Sequence, residues 1–305
     1  MLVICFDEKR FLGGYGDRVV GLIAVYLIAK LLRRPFKILW KKEPMTSFLT
    51  YERFDYETVP PTPPAFVKIV NALDAQTRHK QYMMTAPHVF PNTGYPVTKV
   101  YCNQEIAQYL YKNPRFRERP YLEDIYAAYK TLYTEILVPL PATLEKIETV
   151  LASRRPVVVG IQVRAGDMYM DSTKTHRLLA EITTSLPPLL SRIKDHADAA
   201  YGVDAYSVFI TSDYDGAAAL ASALWSSVLT VAEPPQHLDE ALVGDFSKVY
   251  VDNYILSQRT DRLYITPASN YGRVAALSAT HDVLFDLKGE ALPKKSLLSK
   301  GEQLF

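Results

Sequence analysis

The chain has 305 residues, of which 48% are hydrophobic and 22% charged, a composition that is typical of globular proteins and argues against intrinsic disorder. This length fits two domains of about 150 residues each better than a single core. The net charge is only +2, which does not indicate a nucleic-acid partner, so an anionic ligand would have to be bound at a local site.

Signals for export and membrane insertion are not evident in the sequence. Charged residues at positions 7–10 interrupt the first apolar run, which argues against a secretion signal. The apolar stretch 19–32 is roughly 14 residues long, whereas a membrane-spanning helix needs about 20. The two cysteines, Cys5 and Cys102, fit a reducing compartment better than a disulfide scaffold. We therefore expect a soluble, cytoplasmic protein without a transmembrane segment.

The first 40 residues predict a strand, a glycine turn, a long helix and a second strand. The strands are "LVICF" and "FKILW", and the helix between Asp17 and Pro35 is apolar on most of its circumference. Such a helix belongs against a parallel sheet, so we expect a βαβ unit. The proline-rich residues 55–100 predict long loops, and residues 103–150 predict helices, most clearly Tyr121–Leu137.

Strand and helix patterns alternate four times in the roughly 125 residues that follow, which predicts a doubly wound parallel sheet. Pro187 and Pro188 predict a break in the helix after the first of these strands. The predicted fold class is therefore α/β, with two Rossmann-like domains. The first covers residues 1–150, the second covers residues 151–285, and a tail follows over residues 286–305.

The turn "GGYGDRVVGL" is the first candidate site, because ligands of such sheets bind at the carboxyl ends of the strands. Gly13, Gly14 and Gly16 would let a ligand approach the backbone and the amino end of the helix. Arg18 opposes the helix dipole, which suggests a binding role with Asp17 and Arg18 facing a cleft. The alternative is that these glycines only make a tight turn.

Charged side chains also end the first two strands of the second half. Arg164 closes "GIQVR", where a guanidinium needs an anion such as a phosphate, although Asp167 is near enough in sequence to pair with it instead. Asp213 and Asp215 follow "VFITS" as a D-x-D pair. Such a pair either holds a divalent metal on a nucleotide diphosphate or caps a helix.

A phosphate cradle is predicted where "RLYITPAS" leads into the next helix. Ser269, Asn270, Tyr271 and Gly272 bring a hydroxyl, an amide and backbone N–H groups to the start of that helix. Arg273 in the first helical turn would add positive charge. Earlier in the chain, Asp252 is expected to open the helix that precedes this strand.

Together, these stretches resemble the peptide motifs of the GT-B fucosyltransferase superfamily, which includes α1,2-, α1,6- and protein O-fucosyltransferases. The similar stretches are "GGYGDRVVGL", "GIQVRAGD" and "DNYILSQRTDRLYITPASNYGRVAA". The resemblance spans residues 13–22 and 157–280 and leaves residues 41–150 uncovered. It implies a GT-B architecture of two Rossmann-like domains facing each other across a cleft, with the acceptor side in the first domain and the nucleotide sugar in the second.

The resemblance also implies roles for individual residues. Arg164 would contact the β-phosphate of a GDP-sugar and stabilise it as it leaves, Asp252 would hydrogen-bond the guanine, and Ser269 and Asn270 would bind phosphate. Tyr271 would pack beside them. The other donor-binding positions are Gly14, Tyr15, Gly16, Arg18, Gln162, Asp213 and Gly272.

The implied reaction is an inverting, metal-independent transfer of a sugar, L-fucose from GDP-fucose, to a hydroxyl of a glycan or glycoprotein acceptor. The GDP-sugar is a substrate, and no metal or other cofactor is expected. Asp17 and Asp167 are the candidates for a general base.

The chain departs from the family pattern at two positions. Gln162 replaces the usual histidine and Ala165 the second arginine, and glutamine cannot carry charge near pH 7. Another GDP-deoxyhexose or a UDP-pentose is therefore an alternative donor. Two further alternatives are a metal-dependent transferase that uses Asp213 and Asp215, and a nucleotide-binding module without turnover.

Overall fold

The computed structural model describes residues 1–6, 13–40, 49–50, 67–72, 97–116, 118–165, 172–214, 216–232, 247–281 and 284–299, with the backbone alone for 67–72, 172–183 and 299. The chain forms two compact units, Met1–Leu140 and Pro141–Phe305. The division comes earlier than the boundary predicted near residue 150. The reason is that helix α4 (Pro141–Val150) packs against α7 (Ser247–Gln258) of the second unit, where Lys146 Nζ donates to Ser247 Oγ at 2.9 Å.

The first unit contains a parallel four-stranded sheet in the order β2-β1-β4-β3. Its strands are β1 (Leu2–Phe6), β2 (Phe36–Trp40), β3 (Val67–Ala72) and β4 (Val97–Cys102). The prediction of long loops over residues 55–100 is wrong at β3 and β4. Val97, Val100 and Cys102 of β4 are buried, because this strand lies between β1 and β3 in the sheet.

Helix α1 (Tyr15–Leu31) lies against this sheet, as its apolar composition predicts. A Cβ atom on Gly21 would come within 2.1 Å of the Cys102 carbonyl oxygen, so glycine is needed for the helix to approach β4 this closely. Two short helices, α2 (Ala107–Tyr111) and α3 (Tyr121–Lys130), pack on α1. A single π-helical turn follows at Leu132–Ile136.

The second unit contains a parallel five-stranded sheet in the order β7-β6-β5-β8-β9. Its strands are β5 (Val157–Val163), β6 (Tyr206–Ser212), β7 (Val228–Leu229), β8 (Arg262–Ile265) and β9 (Leu284–Asp286). The chain moves outward from β5 in one direction and then returns to add β8 and β9 on the other side. The strand order therefore reverses between β5 and β8, which is where doubly wound sheets bind ligands.

Four further helices accompany these strands: α5 (Ser172–Tyr201), α6 (Ala217–Ser222), α8 (Asn270–Ser278) and α9 (Lys294–Ser299). The predicted break at Pro187 and Pro188 is wrong, because α5 continues through both prolines. An interior proline costs a helix about 3 kcal/mol. Burial of Leu186, Leu190 and Ile193 in the core of this unit offsets that cost.

The carboxyl-terminal segment is more ordered than the predicted tail over residues 286–305 implies. Strand β9 pairs with β8, and Leu297 of α9 is fully buried. The Arg273 side chain of α8 donates to the Leu297 carbonyl oxygen, with Nε at 2.8 Å. The segment up to Ser299 therefore belongs to the second unit.

Both cysteines are buried thiols of the first unit, on β1 and β4, and neither is part of a disulfide. Burial raises the pKa of the Cys102 thiol to about 12. In the described part of the chain, none of the helices has both the length and the apolar character that crossing a bilayer demands.

Candidate functional site

A guanidinium and a carboxylate meet at the carboxyl ends of β5 and β6. Arg164 Nη1 lies 3.2 Å from Asp213 Oδ2, and the two side chains are 35% and 15% exposed. Asp213 Oδ1 also accepts a 2.6 Å hydrogen bond from the Ala165 amide. Asp167, which the sequence offered as an alternative partner of Arg164, lies outside the described residues, and that pairing stays a prediction.

Thr266, which the sequence analysis did not single out, joins the ends of β5 and β8. Its Oγ1 accepts from the Arg164 amide at 2.9 Å and donates to the Gln162 carbonyl oxygen at 3.4 Å. The signal available in the sequence was a threonine directly after a strand and before a proline. Thr266 therefore fixes the backbone from which the Arg164 side chain extends.

Gln162, which was predicted to stand in place of a histidine, is only 3% exposed. Its Oε1 accepts from the Thr266 amide at 3.2 Å, and its Nε2 lies 3.5 Å from Ser269 Oγ. A Cβ atom on Gly272 would come within 2.3 Å of Gln162 Oε1, so this glycine makes room for the glutamine. The structure thus brings together three predicted site residues, Gln162, Ser269 and Gly272.

Ser269 begins helix α8 as its N-cap, and its Oγ accepts from the Gly272 amide at 3.4 Å. The next two residues tie the helix to its surroundings. Asn270 Oδ1 accepts from Arg273 Nη1 at 2.8 Å, and Tyr271 OH donates to the Val249 carbonyl at 2.8 Å. Arg273, predicted to add positive charge to the first helical turn, donates to Asn270 and to the Leu297 carbonyl of α9.

Asp252 does not open a helix as predicted but lies inside α7, and it is 3% exposed. Its Oδ2 accepts from Thr211 Oγ1 at 2.8 Å and lies 3.2 Å from Lys248 Nζ, one helical turn earlier. Lys248 Nζ also donates to the Val231 carbonyl at 3.0 Å. A buried charge is stable only when it is paired, so Lys248 compensates the Asp252 carboxylate. Lys248 was missed, although its spacing of four residues from Asp252 was visible in the sequence.

The charged pair of the glycine loop belongs to the first unit and supports the loop itself. Asp17 Oδ2 accepts from the Gly14 amide at 3.1 Å, which caps helix α1. Arg18 is fully buried, its Nε donates to the Gly13 carbonyl at 3.1 Å, and its guanidinium lies 5.4 Å from the Trp40 ring centre. The expectation that Arg18 faces a cleft is therefore wrong, since it acts on the loop backbone.

The remaining glycine-loop candidates, Tyr15 and Gly16, are also buried, and Tyr15 is 4% exposed. The Tyr15 hydroxyl lies 3.2 Å from that of Tyr133, and burial raises the pKa of Tyr15 above its ordinary value. Gly13 has φ of 74°, which favours glycine, and a Cβ there would meet Asp17 Oδ2 at 2.5 Å. Gly13 therefore has a structural reason to be glycine. The metal alternative for the D-x-D pair stays a prediction, because Asp215 lies outside the described residues.

No protein-family model matches the chain, and no curated protein sequence matches it. Solved structures do match. A variant of FUT1 from Arabidopsis thaliana in complex with GDP superposes with a TM-score of 0.66 and 16% identity, covering 93% of this chain and 69% of that one. The fucosyltransferase NodZ from Bradyrhizobium gives 0.55 and 14%, covering 96% and 98%. POFUT1 in complex with GDP-fucose gives 0.55 and 14%, covering 93% and 97%. The predicted fold class is thus confirmed, because the chain has the GT-B-type fold of these fucosyltransferases.

Proposed function

We propose that this chain, which has the fold of the GT-B fucosyltransferases, transfers L-fucose from GDP-fucose to a hydroxyl of a glycan or protein acceptor. The observation that carries the proposal is the position of Arg164. Its backbone is held by Thr266 at the point where the strand order of the second sheet reverses, and its side chain is 35% exposed. Solved structures with the same fold contain GDP or GDP-fucose, which supports this donor.

The donor's diphosphate is bound, in this proposal, by Arg164 and the amino end of α8. A guanidinium matches the geometry of phosphate oxygens, and a helix amino terminus presents N–H groups and a positive dipole end to an anion. Gln162 supports this arrangement because it connects the Thr266 turn to the Ser269 cap. Ser269 and Asn270 then lie at the start of the helix that faces the phosphates.

Asp252 provides the guanine recognition. Guanine presents a ring N–H beside an amino group, two adjacent donors that fit the acceptor oxygens of one carboxylate. Lys248 and Thr211 both contact Oδ2, so the orientation of the carboxylate is held through that oxygen. The ion pair with Lys248 compensates the charge of the buried Asp252 carboxylate.

The transfer itself separates charge. The bond between the anomeric carbon and the β-phosphate oxygen breaks, the diphosphate takes the electron pair, and positive charge develops on the sugar ring. Arg164 and the helix N–H groups stabilise the departing diphosphate, which allows transfer without a metal ion. The acceptor oxygen attacks from the opposite face, which inverts the anomeric centre, and its proton passes to a base. Asp17 and Asp167 are the candidates for that base, although Asp17 also caps α1.

The decisive test replaces Arg164 with alanine. We expect Arg164→Ala to abolish transfer from GDP-fucose while the circular dichroism spectrum and melting temperature stay close to wild type. Arg154→Ala is the matched control, because Arg154 precedes the same strand and pairs with Glu148 at the surface, at 3.2 Å with side chains 43% and 46% exposed. An active Arg164→Ala protein would contradict the proposal.

One observation favours a second candidate, a nucleotide-binding module without turnover. Gln162 cannot supply the charge of a histidine, and its carboxamide is engaged with Thr266 and Ser269. Calorimetric binding of GDP together with an absence of both transfer and donor hydrolysis would support this candidate.

A further inference from the structure

Asp213 is placed where it competes with the anion that Arg164 is proposed to bind. Its carboxylate is 3.2 Å from the Arg164 guanidinium and is only 15% exposed, so solvent screens it weakly. The Ala165 amide holds the other carboxylate oxygen at 2.6 Å. Asp213 is therefore anchored to the backbone independently of Arg164.

This anchoring has an electrostatic consequence. When a diphosphate approaches Arg164, the Asp213 carboxylate cannot easily move away, because its Oδ1 stays bonded to the Ala165 amide. The two anions then share one guanidinium, and like charges at such distances repel each other strongly where solvent is partly excluded. Asp213 therefore weakens the affinity for a diphosphate.

We propose that Asp213 is the resting counter-ion of Arg164, which shares the guanidinium with the donor's diphosphate and pairs with Arg164 alone again when GDP leaves. The inference rests on the proposed function, since it takes Arg164 as the diphosphate contact. Asp213 is a positioning residue that acts through Arg164. Its charge limits the affinity for GDP, the leaving group, and so favours product release.

The test is the isosteric substitution Asp213→Asn. The asparagine keeps its oxygen for the Ala165 amide and places its amino group toward Arg164, so the side chain keeps its size and its bond to the backbone but loses the negative charge and the ion pair. Asp204→Asn is the matched control. Asp204 precedes the same strand β6, pairs with Arg155 at 3.7 Å, and has φ of 58°, a conformation that asparagine tolerates.

Calorimetric titrations of wild type and both variants with GDP and with GMP measure the effect. We expect Asp213→Asn to bind GDP about tenfold more tightly than wild type, with a smaller change for GMP, and to show a correspondingly lower inhibition constant for GDP in the transfer assay. Asp204→Asn should bind both nucleotides as wild type does. If Asp213→Asn does not fold, Asp213→Ser carries the same expectation.

The outcomes separate the two proposals. Equal or weaker GDP binding by Asp213→Asn overturns the counter-ion role and indicates that the carboxylate only orients Arg164 or braces the loop. If Asp204→Asn also binds GDP about tenfold more tightly than wild type, the counter-ion role is overturned too, because the change in net charge alone would then explain the tighter binding. If the wild-type protein binds no GDP, both the proposed function and this inference are contradicted.

Discussion

The Thr266 hydroxyl accepts a 2.9 Å hydrogen bond from the Arg164 amide, and this bond joins the ends of two strands that are adjacent in the sheet but about a hundred residues apart in sequence. The bond lies where the strand order reverses. It sets the direction in which the Arg164 side chain leaves β5.

Replacing Thr266 with valine should therefore impair the reaction more than the fold. Thr266→Val keeps the shape but loses the hydroxyl, and we expect kcat/KM to fall about 10- to 100-fold because the guanidinium is misplaced. The cost in unfolding free energy should be only about 1 kcal/mol. Steady-state kinetics and urea unfolding measure the two effects. Thr266→Ser, which retains the hydroxyl, should stay near wild type, and equal kinetics for serine and valine would refute this role.

Substitutions in the buried pair of Lys248 and Asp252 should affect stability and nucleotide binding differently. Lys248→Met leaves the Asp252 carboxylate buried without its cation, and we expect unfolding free energy to fall by about 3 to 5 kcal/mol. The double variant Lys248→Met, Asp252→Leu removes both charges and should recover most of that loss in stability, but it should not bind GDP because the Asp252 carboxylate is gone. Urea unfolding and calorimetry provide the two readouts. A Lys248→Met protein as stable as wild type would show that the pair contributes nothing.

Glutamine at position 162 has no ionisable group, so diphosphate binding does not depend on protonation there. The substitution Gln162→His should make it depend on pH. Histidine titrates near pH 6.5, and its protonated form attracts a phosphate. The variant should bind GDP more tightly as the pH falls from about 8 to 6, whereas wild type should show no inflection from this position. Calorimetry at several pH values measures the difference. Identical pH profiles would mean that residue 162 lies too far from the phosphates to matter.

Transfer should not depend on a divalent cation if Arg164 and the start of α8 neutralise the diphosphate. Wild-type protein dialysed against EDTA is expected to retain its full rate, and added Mg²⁺ or Mn²⁺ should not raise it. An assay of transfer from GDP-fucose measures this directly. Activity lost in EDTA and restored by metal would instead favour the alternative in which Asp213 and Asp215 hold a cation.

The buried Cys102 thiol should make the first unit sensitive to alkali. Its pKa is raised to about 12 in the folded protein by burial, whereas in the unfolded chain the thiol ionises near its ordinary value. The unfolded state thus loses its proton first, so stability is intact below about pH 8.5 and declines by about 1.4 kcal/mol per pH unit above it. Cys102→Ala should flatten this part of the stability profile. An unchanged slope in urea unfolding between pH 8.5 and 10.5 would refute the assignment.

The alternation of strands and helices in the second half could be predicted from the sequence because β5, β6 and β8 are apolar runs that end in polar residues. Strands β3, β4 and β9 were not predicted. β3 and β4 fall in a proline-rich segment and β9 has only three residues, so local pattern was weak, and pairing with distant strands stabilises them. The helix through Pro187 and Pro188 likewise depends on burial against the core.

The sequence by itself determined which residue types stand at the carboxyl ends of the strands, because parallel strands place the residues that follow them along one edge of the sheet. Arg164 and Ser269 could be named on that basis, whereas Asp252 was named from the resemblance to a known family. Only the tertiary structure decided their partners: Asp213 for Arg164, Lys248 for Asp252, and Gln162 for Ser269. The tertiary structure also buries the Arg18 side chain, which the sequence had predicted to face a cleft. Such contacts depend on strand order and on which helix face is buried, and these follow from packing between segments far apart in the chain.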